Sequence, residues 1–490
     1  MTTNRKPPLA KTAASVLALA LIAGIAGLTV PVHKAVAETL RGALAKTYKY
    51  NPTIDAERAR LRATDEGVTQ ARAGYRPRIT GDADISGVEE RNRFAVANPF
   101  VAGVREATPR GYSIGFQQNL FDGFQTSNAV LEAEANVRAG RELLRDIERT
   151  VLLEAATAYM DVVRDRAIVE LQSNNVRVLT RELRATNDRF SVGEVTKTDV
   201  AQARARRAVS VSALDQARAN LKTSRAEYVR VVGSQPNGLR EPAPPLNRVP
   251  RTLSSSIGAA LNESPTIIGS LYLEEASRAT VDRIRGQLLP QVTLEGSYAN
   301  RFDVGVTVAE TENTEIVGRV TVPFYQGGEV TSQVRAAKHT HVSRLQEIEE
   351  ARTLVRRDVT TAWSQLQAAT AQLKSDRVQV SANQTALSGV REEEKVGQRT
   401  LLDVLDAEQE LLNAQVDLVS TKRDQVVAAY SVLSSIGRLD SATLGLTSTV
   451  YDPEVHYHEV RRKWWGISIT HRDGRTVSHD LWESHGKSYK

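Results

Sequence analysis

The chain repeats itself at long range. The segment Arg189 to Val200 is echoed 204 residues later by Glu393 to Val404, so that Gly193 aligns with Gly397, Thr196 with Thr400, Asp199 with Asp403 and Ala203 with Ala407. Upstream, Thr157-Ala158-Tyr159 answers Thr361-Ala362-Trp363, and the stretch ending at Gly123 answers the one ending at Gly327; downstream, Gly233 answers Gly437. A repeat of this length constrains the fold before any local reading, because it demands two equivalent halves in one pseudo-symmetric body.

Each half carries a proline-free stretch, 125–188 and 329–392. As helices these span on the order of 95 Å each, far beyond an ordinary globular helix. In the second, Val355, Val359, Ala362, Leu366, Ala369 and Leu373 recur at the 4-3 spacing of coiled-coil packing. A Val-Gly pair ends each stretch (Val192-Gly193 and Val396-Gly397), and return helices follow over 197–232 and 400–437. Shorter helices open near Asn51-Pro52 and Ser264-Pro265, where proline suits a first helical position.

Between the short and long helices the period changes to two. Ile79, Gly81, Ala83 and Ile85 share one face; so do Tyr112, Ile114 and Phe116; Val292, Leu294, Gly296 and Tyr298; and Ile316, Gly318, Val320 and Val322. Thr80, Asp82, Ser113, Gln117, Thr293, Glu295 and Arg319 fall on the opposite faces. Strands are therefore predicted at about 78–88, 110–121, 290–301 and 315–325, with 88–108 and 302–314 as connecting loops. This alternation is the signature of a membrane-spanning β-barrel, although a soluble sheet with one wet face shares it. Four strands cannot close a barrel, and an open edge is prohibitive in lipid. The barrel must then be shared between chains, and three copies would supply twelve strands.

Composition narrows the alternatives. Cysteine is absent, which excludes disulfides, thiolate metal sites, cysteine nucleophiles and an anchor on an N-terminal cysteine. Net charge is only +6, with acidic and basic residues interleaved along the helices; this argues against a nucleic-acid surface. Residues 1–37 combine Arg5, Lys6 and Lys11, an apolar run from Thr12 to Val30 and Ala35-Val36-Ala37, and read as a signal peptide; a membrane anchor is the other reading of that run. No later stretch has the roughly 20 apolar residues of a membrane helix.

The expected organisation is a first repeat over 38–235, a proline-rich linker over 236–252, a second repeat over 253–437 and a partly ordered tail over 438–490. That tail holds three of the four tryptophans and five of the eight histidines, and Ile467 to Leu481 fits a hairpin around Asp473-Gly474. His456, His458, His471, His479 and His485 lack the spacing of a zinc site. The chain shows no hydrolase elbow, phosphate loop or metal-ligand motif, so no enzymatic centre is proposed. A secreted coiled-coil scaffold is the competing class, and it would leave the alternating strands without a membrane.

The run Val396-Gly-Gln-Arg-Thr-Leu-Leu-Asp-Val-Leu-Asp406, paired with Val192-Gly-Glu-Val-Thr-Lys-Thr-Asp199, closely resembles the TolC-type outer-membrane efflux proteins, and the likeness covers nearly all of 38–437. The resemblance implies a homotrimer of mainly α architecture: a twelve-helix coiled-coil tunnel on a shared twelve-stranded barrel in outer-membrane lipid. It implies a cofactor-free exit duct working with a periplasmic adaptor and an inner-membrane RND or ABC transporter, opened by an iris-like movement of the helix tips. Asp403 and Asp406 would ring the periplasmic gate; Arg399 would brace the closed state through Thr198 and Asp199; and Val192, Gly193, Val396 and Gly397 would meet the adaptor. At Glu394 the sequence departs from the best-known relative, which has an aromatic residue there. From the residues alone, Asp403 and Asp406 lie on one helix face, where six carboxylates in a trimer would repel and raise some of their pKa values. The same residues also suit an ordinary helix N-terminus.

Overall fold

The computed structural model describes residues 38–92, 103–304, 308–447, 449–470 and 476–477; the expected signal segment lies outside them. Two short helices open the first half, α1 (Leu40–Tyr50) and α2 (Pro52–Arg72). Asn51 separates them: its side chain accepts from the Thr53 amide at 2.9 Å, while Pro52 occupies the first turn, where no amide is needed. The second half repeats the helix pair, with α5 (Leu253–Glu263) and α6 (Pro265–Gly286) meeting at Ser264; proline again occupies the first turn, but the Ser264 side chain makes no cap bond.

Six strands of the described residues precede the long helices: β1 (Arg78–Ile85), β2 (Val88–Asn92), β3 (Gly103–Ala107) and β4 (Arg110–Phe121) in the first half, β5 (Gln291–Phe302) and β6 (Glu310–Thr321) in the second. β1, β4, β5 and β6 form one antiparallel sheet in that order, so β4–β5 pairing joins the two halves. Register places Ile79 opposite Phe116, Ile114 opposite Tyr298, Gly296 opposite Ile316 and Val292 opposite Val320. All of these belong to the predicted apolar faces, now one continuous surface. Among the described residues nothing covers it: Ile79, Ile316 and Val320 are 68%, 78% and 64% exposed. Arg78, Thr80, Glu295, Ser297 and Arg319 line a polar cleft on the other face.

The segments read as loops are more ordered than the sequence pattern suggests. Within 88–108, β2 and β3 pair as a separate two-stranded ribbon. In the second half, β6 starts at Glu310, five residues ahead of the predicted 315, because the polar run Glu310 to Thr314 pairs residue by residue with Phe302 back to Tyr298. Backbone pairing extends both hairpins past the point where apolar alternation stops, and alternation was the only signal available for placing their ends.

Gly123 turns the sheet into the first long helix. It has φ +70°, and a Cβ there would lie 2.2 Å from the Gly286 carbonyl oxygen; only glycine fits. The long helices are α3 (Gln125–Ser191) and α7 (Glu329–Lys395), 67 residues each, with return helices α4 (Lys197–Val232) and α8 (Leu401–Ser435). Each long helix spans about 100 Å. Val355, Val359, Ala362, Leu366, Ala369 and Leu373 are all buried, as a coiled-coil seam requires. The principal core gathers around Tyr159, Val359, Ala429 and Leu433, where α3, α7 and α8 meet α1 and α4. Alanine at many of these positions lets the backbones approach closely.

Beyond the repeat, α9 (Ser441–Leu444), α10 (Glu454–Val460) and the short strands β7 (Ile469–Thr470) and β8 (Thr476–Val477) complete the described chain. β7 pairs with β8; Asp473-Gly474, expected at their turn, lies outside the described residues. The tail lies against α2 and α3. His456 Nδ1 is 2.9 Å from the buried Asp65 carboxylate, and the Thr69 hydroxyl donates to the Val460 carbonyl at 2.8 Å.

Candidate functional site

The ends of the two hairpins farthest from the sheet carry the repeated Gly, Thr and Asp residues in closely matching local geometry. After α3, the Gly193 amide donates to the Phe190 carbonyl at 3.0 Å; after α7, the Gly397 amide donates to that of Glu394 at 2.9 Å. Both glycines are left-handed, at φ +80° and +77°, the conformation that closes a helix end and that side chains disfavour. Each return helix then opens with a reciprocal cap. The Thr196 hydroxyl and amide donate to Asp199 Oδ2, both at 2.8 Å; their counterparts in Thr400 reach Asp403 Oδ2 at 2.8 and 2.9 Å. Satisfying free amides at both ends of a two-turn connection makes the tips rigid corners rather than loops. At the corner of each, an apolar side chain stands in solvent: Val192 is 77% and Val396 72% exposed.

The predicted gate residues occupy different local environments. Asp403 is engaged by its own cap, so hydrogen bonds from the Thr400 amide and hydroxyl hold its carboxyl below the usual range, with Arg399 adding a smaller effect. Within one chain this opposes the upward shift expected from a ring of like charges. Asp406, one turn on, is bonded by Arg206 of α4. Arg399 reaches Glu393 of its own hairpin at 2.9 Å. Within one chain Arg399 does not meet Thr198, which is exposed, or Asp199, which serves its own cap. The structure thus brings Asp403, Asp406 and Arg399 to one tip, and Thr198 and Asp199 to the other.

Two ties between the hairpins at their tips escaped the sequence reading. Arg189, in the last turn of α3, pairs with Glu394 of α7 at 2.7 Å, and Arg206 pairs with Asp406. The signal was present in the repeat: aligned at 204 residues, Arg189 faces Glu393 and Arg206 faces Glu410, so the first tip is basic where the second is acidic. Complementary charge lets two similar hairpins lie side by side, and a small cluster of Leu179, Ala203, Leu401 and Leu405 packs between them. Just above, Glu182 is partly buried; burial chiefly, with Glu408 and Glu394 nearby, raises its pKa.

Among the described residues no group of three or more His, Asp or Glu converges as a metal site, and His471, His479 and His485 lie outside them. No described helix is long and apolar enough to cross a membrane. The arrangement offers a narrow, charged, two-hairpin tip at one end and a sheet with a polar and an apolar face at the other.

Comparison with known proteins matches both halves to one family model. The family described as outer membrane efflux protein matches residues 44–234 and again 256–438. The outer membrane efflux protein BepC of Brucella suis biovar 1 is 39% identical over 454 residues, covering 92% of this chain and 96% of BepC. The outer membrane protein TolC of Escherichia coli is 24% identical over 431 residues, covering 83% and 84%. Among solved structures, the CmeC outer membrane channel of Campylobacter jejuni superposes with a TM-score of 0.72 at 16% identity, covering 86% of this chain and 89% of that one.

Proposed function

This chain belongs to the outer membrane efflux protein family, and from that premise we propose that three copies assemble into a continuous duct across the outer membrane and the periplasm. The observation that carries the proposal is the four-stranded sheet. Among the described residues its apolar face is bare and its outer strands, β1 and β6, have unpaired edges. In lipid those edges must be satisfied, and pairing β6 of one copy with β1 of the next closes a barrel around the polar face. Three copies give twelve strands, within the range of known outer-membrane barrels. The long hairpins then form a helical tunnel beneath, with their tips converging on the axis.

On this reading the protein is a passive conduit. Asp403 and Asp406 ring the periplasmic entrance and favour cations, as rings of carboxylates do in other pores. Opening is an iris-like displacement of one hairpin against its neighbours. Arg399 of one copy braces Thr198 and Asp199 of the adjacent copy in the closed state, while the ties from Arg189 and Arg206 hold the two hairpins of a single copy together. Val192 and Val396, apolar and exposed on rigid corners, dock a periplasmic adaptor that couples the duct to an inner-membrane RND or ABC transporter. Cargo selection belongs to that transporter; this chain supplies the path.

The decisive experiment is electron microscopy of the protein purified in detergent, joined to single-channel recording in planar bilayers. A three-fold hollow particle on the order of 140 Å long, from helix and bilayer dimensions, with discrete cation-preferring conductances, is expected. A monomeric rod that stays soluble without detergent and forms no channels would overturn the proposal in favour of a coiled-coil scaffold.

A further inference from the structure

The tail crosses α2 and α3 on one side only. On the other side, Gln70 and Gly74 of the first half's opening segment and Thr126 and Ala129 of α3 share a cleft with Asn119 and Thr293, which belong to the sheet's polar face. The tail bonds to other positions, Thr69 of α2 with Arg76 just beyond that helix, and Glu134 and Arg141 of α3. If the polar face lines the duct, the tail straps its outer wall. It does so where Tyr75 and Arg76 lead into β1 at Arg78, the level at which the barrel meets the periplasmic surface of the membrane.

Four arginines collect there. Arg72 and Arg76, with Arg461 and Arg462 from the tail, line a single open cleft together with Tyr75 and Trp464. The Arg76 guanidinium lies over the Trp464 ring at 4.6 Å and donates to the Lys463 carbonyl at 2.9 Å, which fixes the strap. Glu134 serves Arg461 at 3.2 Å and the Tyr457 hydroxyl at 3.3 Å. Among the described residues Arg72 and Arg462 have no carboxylate partner. Beside them Trp465 is 86% and Ile467 73% exposed. Cationic side chains interleaved with tryptophan and tyrosine, at the height where a barrel leaves the bilayer, are the composition of a membrane-interface anchor.

We propose that this cleft binds the phosphate-bearing headgroup of an anionic phospholipid in the periplasmic leaflet, with Arg72, Arg76, Arg461 and Arg462 on the headgroup and Trp464 and Trp465 at the acyl boundary. The tail thereby clamps the duct to the membrane in a chain that has no cysteine for a lipid anchor. The inference rests on the barrel reading above. Clustered positive charge selects an anionic lipid over a zwitterionic one, and the adjacent exposed apolar surface selects a lipid over a soluble phosphate.

The test uses the full chain in nanodiscs of phosphatidylcholine containing increasing fractions of phosphatidylglycerol brominated on its acyl chains, with tryptophan quenching as readout. Quenching should exceed that by brominated phosphatidylcholine, and should fall in Trp464→Phe/Trp465→Phe. Arg72→Gln and Arg462→Gln, which break no bond of the strap, should each raise the phosphatidylglycerol fraction needed for half-maximal quenching roughly fivefold, the effect of one interfacial cation. Equal quenching by both lipids, or none, overturns the proposal. So does loss of the phosphatidylglycerol preference on adding millimolar inorganic phosphate, which would mark a soluble anion as the ligand. Particles from the same sample are imaged: absence of an inserted three-fold barrel would instead sink the duct reading on which this one stands.

Discussion

Arg206 of α4 is bonded to Asp406 of α8, so one of the two candidate gate carboxylates is already neutralised within its own chain. The tie has two consequences that substitution separates. Arg206→Ala releases one of the two ion pairs that join the hairpins at their tips and uncovers a carboxylate, so conductance should rise and block by trivalent cations should strengthen. Asp406→Asn breaks the same tie but removes the charge, so conductance should rise while block weakens. Exposed pairs contribute only ~0–1 kcal/mol each, and combining Arg206→Ala with Glu394→Gln should open the tip further than either alone. Recordings in which both Arg206→Ala and Asp406→Asn shift block in the same direction would exclude Asp406 from the pore lining.

Asp403 plays two parts that a single alanine would confound. Its carboxylate caps α8 through Thr400, and in the proposed duct it also faces the entrance. Asp403→Ala should weaken multivalent block and also loosen the first turn of α8, because the reciprocal cap loses its carboxylate half. Asp403→Asn keeps an acceptor for the cap, so it should weaken block with little loosening. Hydrogen exchange over residues 400–404 distinguishes them: equal protection in both variants would mean that the cap contributes nothing at this tip.

Glu182 gives the tip a pH dependence. Burial raises its pKa above the ordinary 4.5, and Glu408 and Glu394 add to the shift, while Arg189 and Arg391 oppose it. A carboxyl whose pKa is higher in the packed tip than in the opened one stabilises the packed state while protonated. That stabilisation is complete below pH 4.5 and is lost as pH rises through the shifted value. Closed-state dwell times should therefore lengthen on mild acidification, and Glu182→Gln should flatten this profile near its acidic limit. A profile unchanged by the substitution would assign the pH response to another group.

The sequence displayed the architecture because its main signals are periodic. Val355 to Leu373 carry a coiled-coil seam and Ile79 to Ile85 a strand face, and both periods survive in isolation from the rest of the chain. Strand ends were less visible, since Glu310 to Thr314 pair through backbone groups that leave no hydropathy trace. At the tips, the reciprocal Thr–Asp caps could be read from spacing, but the partners of Arg189 and Arg206 could not: each lies about 200 residues away, and only aligning the halves by charge exposes the complementarity. The tail was least legible. It has no repeat partner, and its contacts (His456 with Asp65, Arg461 with Glu134) depend on a three-dimensional groove formed by α2 and α3.

Tyr159 shows where the two halves had to diverge. Its repeat counterpart is Trp363, yet its hydroxyl lies 2.8 Å from the Glu38 carbonyl and 2.7 Å from that of Arg240, and accepts from the Arg240 amide at 3.0 Å. The ring is fully buried, so this one hydroxyl ties the start of the described chain and the inter-repeat linker to the middle of α3. Burial raises its pKa to about 12, keeping it a neutral donor throughout the physiological range. Tyr159→Phe preserves the packing but strands the Arg240 carbonyl, while the Arg240 amide keeps only its 3.2 Å bond to the Glu38 carbonyl, at a cost of about 1–3 kcal/mol. The linker over 236–252 should then open before the helices do, becoming sensitive to limited proteolysis at protease levels that leave the wild-type chain intact. Trp363→Phe, in the half without such a tether, should leave linker cleavage unchanged; equal nicking in both variants would show that general loosening, not the lost hydroxyl, exposes the linker.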